Sequence, residues 1–180
     1  MIYATKNLED DHVFILRLID VMEVMTTVSE PEIEHLEEVV AIIRSFADGL
    51  HHAKEESLLF PLMAERGFSM QFGPIAVMLQ DHEDGRNYVK GMAENIALLK
   101  NGELSALNLV YYNMLGYGEL LRNHISKENN VLFRMADNAL SSADHQSLTE
   151  QFDQIENQSY PDKKGDFVAR IEKLVTAYNA

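Results

Sequence analysis

At 180 residues the chain is long enough for one domain that buries roughly two-thirds of its unfolded surface. It has no cysteine, which removes disulfides, thiolate metal sites and thiol nucleophiles together and fits a reducing compartment. The 29 acidic against 15 basic residues give a formal charge of −14 with no basic stripe beyond Lys163-Lys164, which argues against nucleic acid and anionic membranes as partners.

The opening stretch has no basic region followed by an apolar run and a small-residue cleavage site. No segment approaches the roughly 18 uninterrupted apolar residues of a membrane span, so a cytoplasmic protein is expected. A first helix is predicted from about Leu8 to Val28, with Leu8, His12, Ile15 and Ile19 on one face. Ser29, Pro31 and Glu32 read as a capping box that starts a second helix, which runs to Glu65 with Pro61 bending its last turns. Gly67 is its predicted C-cap, and Pro74 an early position of a third helix that ends at Asn101-Gly102. A fourth helix covers about Ser105 to Ala139. Ser141-Ser142 restart a shorter one to about Gln158, and after NQSYPDKKG a last amphipathic segment, DFVARIEKLVTAY, docks on the body. The expected fold is all-α: an antiparallel up-down four-helix bundle over residues 1–140, with residues 141–180 as an extension of two shorter helices packed on the same domain.

The second and fourth helices carry near echoes of one another, HHAKEESLLF (residues 51–60) and HISKENNVLF (residues 124–133). Residues four apart share a helix face, so His51 with Glu55, and His124 with Glu128, each present an imidazole and a carboxylate together. Both pairs are expected on the side of Leu58 and Val131, toward the core. Two buried carboxylates need a positive partner, and Lys54 and Lys127 fall one residue off that face. The first and third helices each add one histidine, His12 and His82. Four imidazoles and two carboxylates exceed what one zinc takes and suit two metals bridged by both carboxylates. Nitrogen and oxygen donors without thiolate favour iron or manganese, with about one open position on each. His35 and His145 are read as surface residues. His52 and Glu56 point about 100° away from the ligand face. Phe14, Met78, Leu121 and Met135 are read as core.

The order His, HHxxEExxLFP, His, HIxKExxxLF resembles the haemerythrin-like HHE cation-binding domains over roughly Leu8 to Asp137. The ferritin type, with Glu-x-x-His on two helices, has the opposite order and spacing. The resemblance implies two non-haem iron ions with an oxo or hydroxo bridge, held by His12, His51, Glu55, His82, His124 and Glu128, with manganese or zinc as substitutes. It also implies a small-molecule ligand: dioxygen, peroxide or nitric oxide. Oxygen carriers of the family place a second histidine four after the third helix's His and an Asp five after the fourth's. Arg86 and Asn129 stand there instead. One imidazole fewer points to redox turnover over reversible oxygen carriage, with iron, oxygen or nitric oxide sensing as the alternative. Relatives linked to iron–sulfur repair carry an added cysteine-containing region, so that activity is less expected here. Tyr117, two turns before His124, either reaches a bound oxygen species or is a core residue bonded to a backbone carbonyl. Arg86 is expected to pair with a bridging carboxylate or a bound anion, with Gly85 leaving room for a channel.

Overall fold

A computed structural model describes residues 3–158 and 163–180. Six helices account for nearly all the described residues, and no strand occurs among them. Helix α1 is Thr5–Met25. Helix α2 runs without a break through residues 33–65 and changes character along its length. It is α-helical over Ile33–Ile42, widens to i→i+5 bonding over Ile43–His52 and again over Glu55–Leu59, and returns to α over Phe60–Glu65. Helix α3 is Pro74–Lys100. Helix α4 spans residues 106–139, with one wide turn at Glu128–Leu132, and α5 (Ser142–Gln158) and α6 (Lys163–Tyr178) follow.

Most boundaries follow from local chemistry. Gly67 and Gly102 take φ of 97° and 95°, which side chains with a Cβ rarely adopt. There Phe68 N–H bonds Met63 O and Glu103 N–H bonds Leu98 O, closing α2 and α3 with the left-handed cap that glycine permits. Helix α1 stops at Met25, three residues early, because the Thr26 and Thr27 hydroxyls donate to Glu23 O and Val24 O. Ser141 and Asp144 cap α5 reciprocally, each accepting the other's backbone N–H. The capping box predicted at Ser29 does not form: Pro31 and Glu32 stay outside the helix, which starts at Ile33 with Glu32 O accepting from His35 and Leu36 N–H. Of the predicted break at NQSYPDKKG, residues 159–162 lie outside the described residues.

The four long helices touch in cyclic order, α1 on α2, α2 on α3, α3 on α4 and α4 on α1, and α6 covers α1 and α2. Their interior is two apolar cores. One gathers Ile15, Ile19, Phe46, Leu50, Met92 and Leu121 among others, the second Leu8, Leu59, Phe60, Met78, Leu132 and Phe133. Along α1 and α3 the chain passes from the second core to the first; along α2 and α4 it passes back. Between the cores every long helix contributes polar residues, and that layer is the site.

The last two helices complete the cores. Leu148 and Phe152 of α5 join the second core. His145 of the same helix is fully buried, not on the surface, because its Nδ1 accepts the Ala4 N–H that precedes α1. Phe167, Ile171 and Leu174 of α6 join the first core, with Phe167 stacked 5.5 Å from Phe46. Among the described residues no helix is long and apolar enough to cross a membrane. Ile171→Ala, which empties a fully buried site on α6, is expected to destabilise the chain by about 2–5 kcal/mol. A single urea transition with an earlier midpoint is the expected record; a separate early transition would show that α6 unfolds on its own.

Candidate metal centre

The wide turns decide what faces inward. In a regular helix His51, Glu55 and Leu58 would share a face. The i→i+5 stretches of α2 and α4 under-rotate, so the buried residues are His51, Glu55 and Leu59, and His124, Glu128 and Leu132. Val131, expected toward the core, is half exposed, and Leu58 is only partly buried.

All six predicted residues are brought together and buried. His12 Nε2 lies 3.0 Å from His51 Nε2, and His82 Nε2 lies 3.2 Å from His124 Nε2. Glu128 Oε2 is 3.2 Å from both His12 and His124 Nε2. Glu55 faces His51 through Oε1 at 3.7 Å and His82 through Oε2 at 3.4 Å. Each carboxylate therefore reaches from one histidine pair to the other. Ligand atoms of His12, His51, Glu55 and Glu128 lie within 4.8 Å of one another, and so do those of His52, Glu55, His82 and His124.

Outward, every one of the four imidazoles turns Nδ1 to an oxygen. His12 faces Asn129 at 2.8 Å, His51 faces Asp11 at 3.4 Å, His82 faces Glu56 at 2.7 Å and His124 faces Asp81 at 3.3 Å. Such acceptors place the proton on Nδ1 and leave the Nε2 lone pairs converging inside, the arrangement of metal-bound histidines. Bare lone pairs 3 Å apart repel, and none of the four carboxylate oxygens of Glu55 and Glu128 has a hydrogen-bond partner among the described residues. Two cations would satisfy all of them, so the donor set fits a pair of metal ions.

The outer ring was partly hidden in the sequence. Asp11 and Asp81 immediately precede His12 and His82, yet each serves the histidine of a different helix. Lys54, which sequence spacing puts off the face, is fully buried. Its Nζ donates to Asp11 (2.6 Å), Asn7 (2.7 Å) and Glu156 of α5 (2.7 Å). Lys127 bonds Asp81 at 2.5 Å in the same role. Arg86 does not pair with Glu55 or Glu128. Asp48 and Glu56 lie nearer, and its guanidinium donates to both at 2.7–2.9 Å. Tyr117 is buried with its hydroxyl unpartnered among the described residues, so it is not tied to a backbone carbonyl. His52, expected to point away, is also buried; its ring stacks on His82 at 3.8 Å.

The family model of the hemerythrin HHE cation binding domain matches residues 3–136. The chain belongs to that family. Iron–sulfur cluster repair proteins YtfE of Enterobacter sp. (strain 638) and Citrobacter koseri are each 36% identical to this chain over 92 residues, and that of Escherichia coli O157:H7 over 90. The matched stretch is 48% of this chain and 40% of each relative, so the chain spans less than half the length of the curated relatives it matches.

Without a cation the HHE cluster retains protons. Burial pulls the His124 imidazole down, but the Glu128 charge and the bond to Asp81 outweigh it and raise it to about 10. His12 and His82 are raised too: burial opposes, and Glu128 for one and Glu55 and Glu56 for the other prevail. Burial likewise opposes ionisation of Glu128, but His124 and His12 hold it well below the usual carboxylate range. In the unfolded chain a histidine titrates near 6.5. The stability from a protonated His124 is therefore fully present below about pH 6.5 and is lost as pH rises through about 10. The melting temperature of chelator-treated protein should fall steadily between pH 7 and 10, as calorimetry would record. A flat or rising profile would contradict this coupling.

Proposed function

We propose that the chain is a non-haem di-iron protein that binds and turns over small oxidants or diatomic gases: dioxygen, peroxide or nitric oxide. The observation that carries the reading is the pair of buried carboxylates whose oxygens have no hydrogen-bond partner among the described residues, set between four inward imidazole nitrogens. His12 and His51 would hold one iron and His82 and His124 the other, with Glu55 and Glu128 bridging beside an oxo or hydroxo group. Bound iron supplies one-electron chemistry between its ferrous and ferric states and open positions for a small ligand; manganese or zinc would also suit the donors.

The chain's own residues do the rest. The apolar cores on either side keep bulk water from the layer. Asp11, Asp81, Glu56 and Asn129 fix the imidazole tautomers. We read the four long helices as an antiparallel up-down four-helix bundle over residues 1–140, with residues 141–180 as its two-helix extension, in a cytoplasmic setting. The YtfE relatives are named for iron–sulfur cluster repair. We carry over the iron chemistry and not the repair activity.

A second reading, a sensing module without turnover, is favoured by one observation. Glu156 of α5 accepts from Lys54, Lys54 donates to Asp11, and Asp11 faces His51. A change at His51 thus has a hydrogen-bonded route to the extension. Repeated consumption of peroxide or nitric oxide supports the first reading. A single binding event with altered hydrogen exchange in α5 supports the second.

Changing Glu55 and Glu128 together to Gln is expected to remove most of the bound iron. The check is plasma mass spectrometry after anaerobic reconstitution, against two irons per chain in the parent protein. Iron retained at two per chain would overturn the bridging assignment.

A further inference from the structure

Beside His82 lies a cavity of about 100 Å³, room for only a few heavy atoms when liquid water takes about 30 Å³ per molecule. Ile43, Val89 and Gly85 give it an apolar side, and Arg44, Asp48, Arg86 and Lys90 also stand in its lining. Two buried polar side chains also line it: Tyr117, and His52, which has a ring nitrogen within 4.8 Å of ligand atoms of Glu55, His82 and His124 but stands outside the six-residue ligand set proposed above. His52 is 4% exposed and Tyr117 2%, and His52 Nε2 and the Tyr117 hydroxyl both lack a hydrogen-bond partner among the described residues.

The two groups are complementary in kind. His52 Nδ1 faces Asp48 Oδ1 at 3.4 Å, which puts its proton there and leaves Nε2 as an acceptor. Burial raises the Tyr117 hydroxyl well above its ordinary value, with the Asp48 charge adding to the effect, so it remains an O–H donor. A ligand that satisfies both must accept one hydrogen bond and donate another. Dioxygen and nitric oxide have no proton to donate and would leave His52 Nε2 unsatisfied. An anion without a proton would likewise leave His52 Nε2 unsatisfied, and Arg86, one of three cations in the lining, is already held by Asp48 and Glu56.

Resting on the di-iron reading, we propose that this cavity is a subsite for neutral hydrogen peroxide. Tyr117 donates to one peroxide oxygen, and the other oxygen donates its proton to His52 Nε2. Ile43, Gly85 and Val89 and the stacked His52–His82 rings, 14° from parallel, fix the molecule against the His82 side of the centre. His52 acts through the ligand and not as a ligand of iron.

The test compares Tyr117→Phe, His52→Leu and His52→Gln with the parent, each as full-length iron-loaded protein. Stopped-flow rates with peroxide and with nitric oxide give a ratio. That ratio is expected to fall about tenfold in Tyr117→Phe and His52→Leu, the scale of one lost hydrogen bond. It should largely recover in His52→Gln, whose amide oxygen can accept. An unchanged ratio overturns the subsite. So does a drop to one iron per chain in His52→Leu, which would make His52 a metal ligand. A second readout needs no iron. In metal-free protein labelled with 15N-histidine, the His52 Nε2 resonance should move on adding millimolar peroxide, and should stay fixed in Tyr117→Phe. Absence of that shift in the parent overturns the subsite. The shift present in a chain that binds no iron would overturn the di-iron reading alone.

Discussion

Everything in this molecule is arranged around two buried carboxylates, each set between imidazole nitrogens. Glu55 and Glu128 sit at zero exposure between two apolar cores, all four oxygens without hydrogen-bond partners among the described residues. An isolated carboxylate in such surroundings would protonate or be driven out, because the desolvation cost far exceeds what any single packing contact returns. The layer does not balance its own charge. Glu55, Glu128, Asp11, Asp48, Glu56 and Asp81 face Lys54, Arg86 and Lys127, six carboxylates against three cations. Raising the pKa of His124, His82 and His12 is how the metal-free layer makes up part of the deficit. Two divalent cations would make up the rest without asking any histidine to hold a proton on the nitrogen that points inward.

The layer is a repeated device. An Asp-His pair on α1 is matched by one on α3, and a His-x-x-Lys-Glu run on α2 by one on α4. Each Lys holds the Asp of the neighbouring helix, and that Asp meets the His three residues before the Lys. The copies differ in their surroundings. Lys54 is fully buried under α5, with three acceptors, whereas Lys127 has one acceptor and a side chain 42% exposed. The half containing His51 is thereby locked to the C-terminal helices. The half containing His82 and His124 has the cavity, a solvent-touched lysine and Arg86 nearby. Such a division suits one metal position that is held and one that meets ligands.

Much of this was legible in the sequence, and the failures have physical causes. The doubled His/Glu spacing survives because one turn brings residues four apart together in either kind of helix. The prediction for Leu58 and Val131 fails because the wide turns at Glu55–Leu59 and Glu128–Leu132 shift the inward face: the buried residue is eight, not seven, along from the histidine. Nothing in residues 43–52 announces i→i+5 bonding. His52 was misplaced by the same regular-helix assumption. The roles of Asp11 and Asp81 were invisible for another reason, since each works across helices and sequence spacing speaks only within one. His145 looked like a surface residue because its partner is a backbone N–H 141 positions away.

The wide turns also explain why the site can be both crowded and open. A regular helix passes one residue in every turn inward at a given height. Under-rotation lets α2 present His51 and His52 side by side, the first to the inner cluster and the second to the cavity beside it. The wide stretches are held by side-chain contacts: His51 is fixed by Asp11, His52 by Asp48 and the His82 ring, and Leu50 and Leu59 by the two cores. On α4 the corresponding turn begins only at Glu128, after His124, and the residue following His124 is the apolar Ile125, which packs into the first core. So the two echoing segments diverge where one needs only to place His124 and Glu128 in the cluster and the other must also face a cavity.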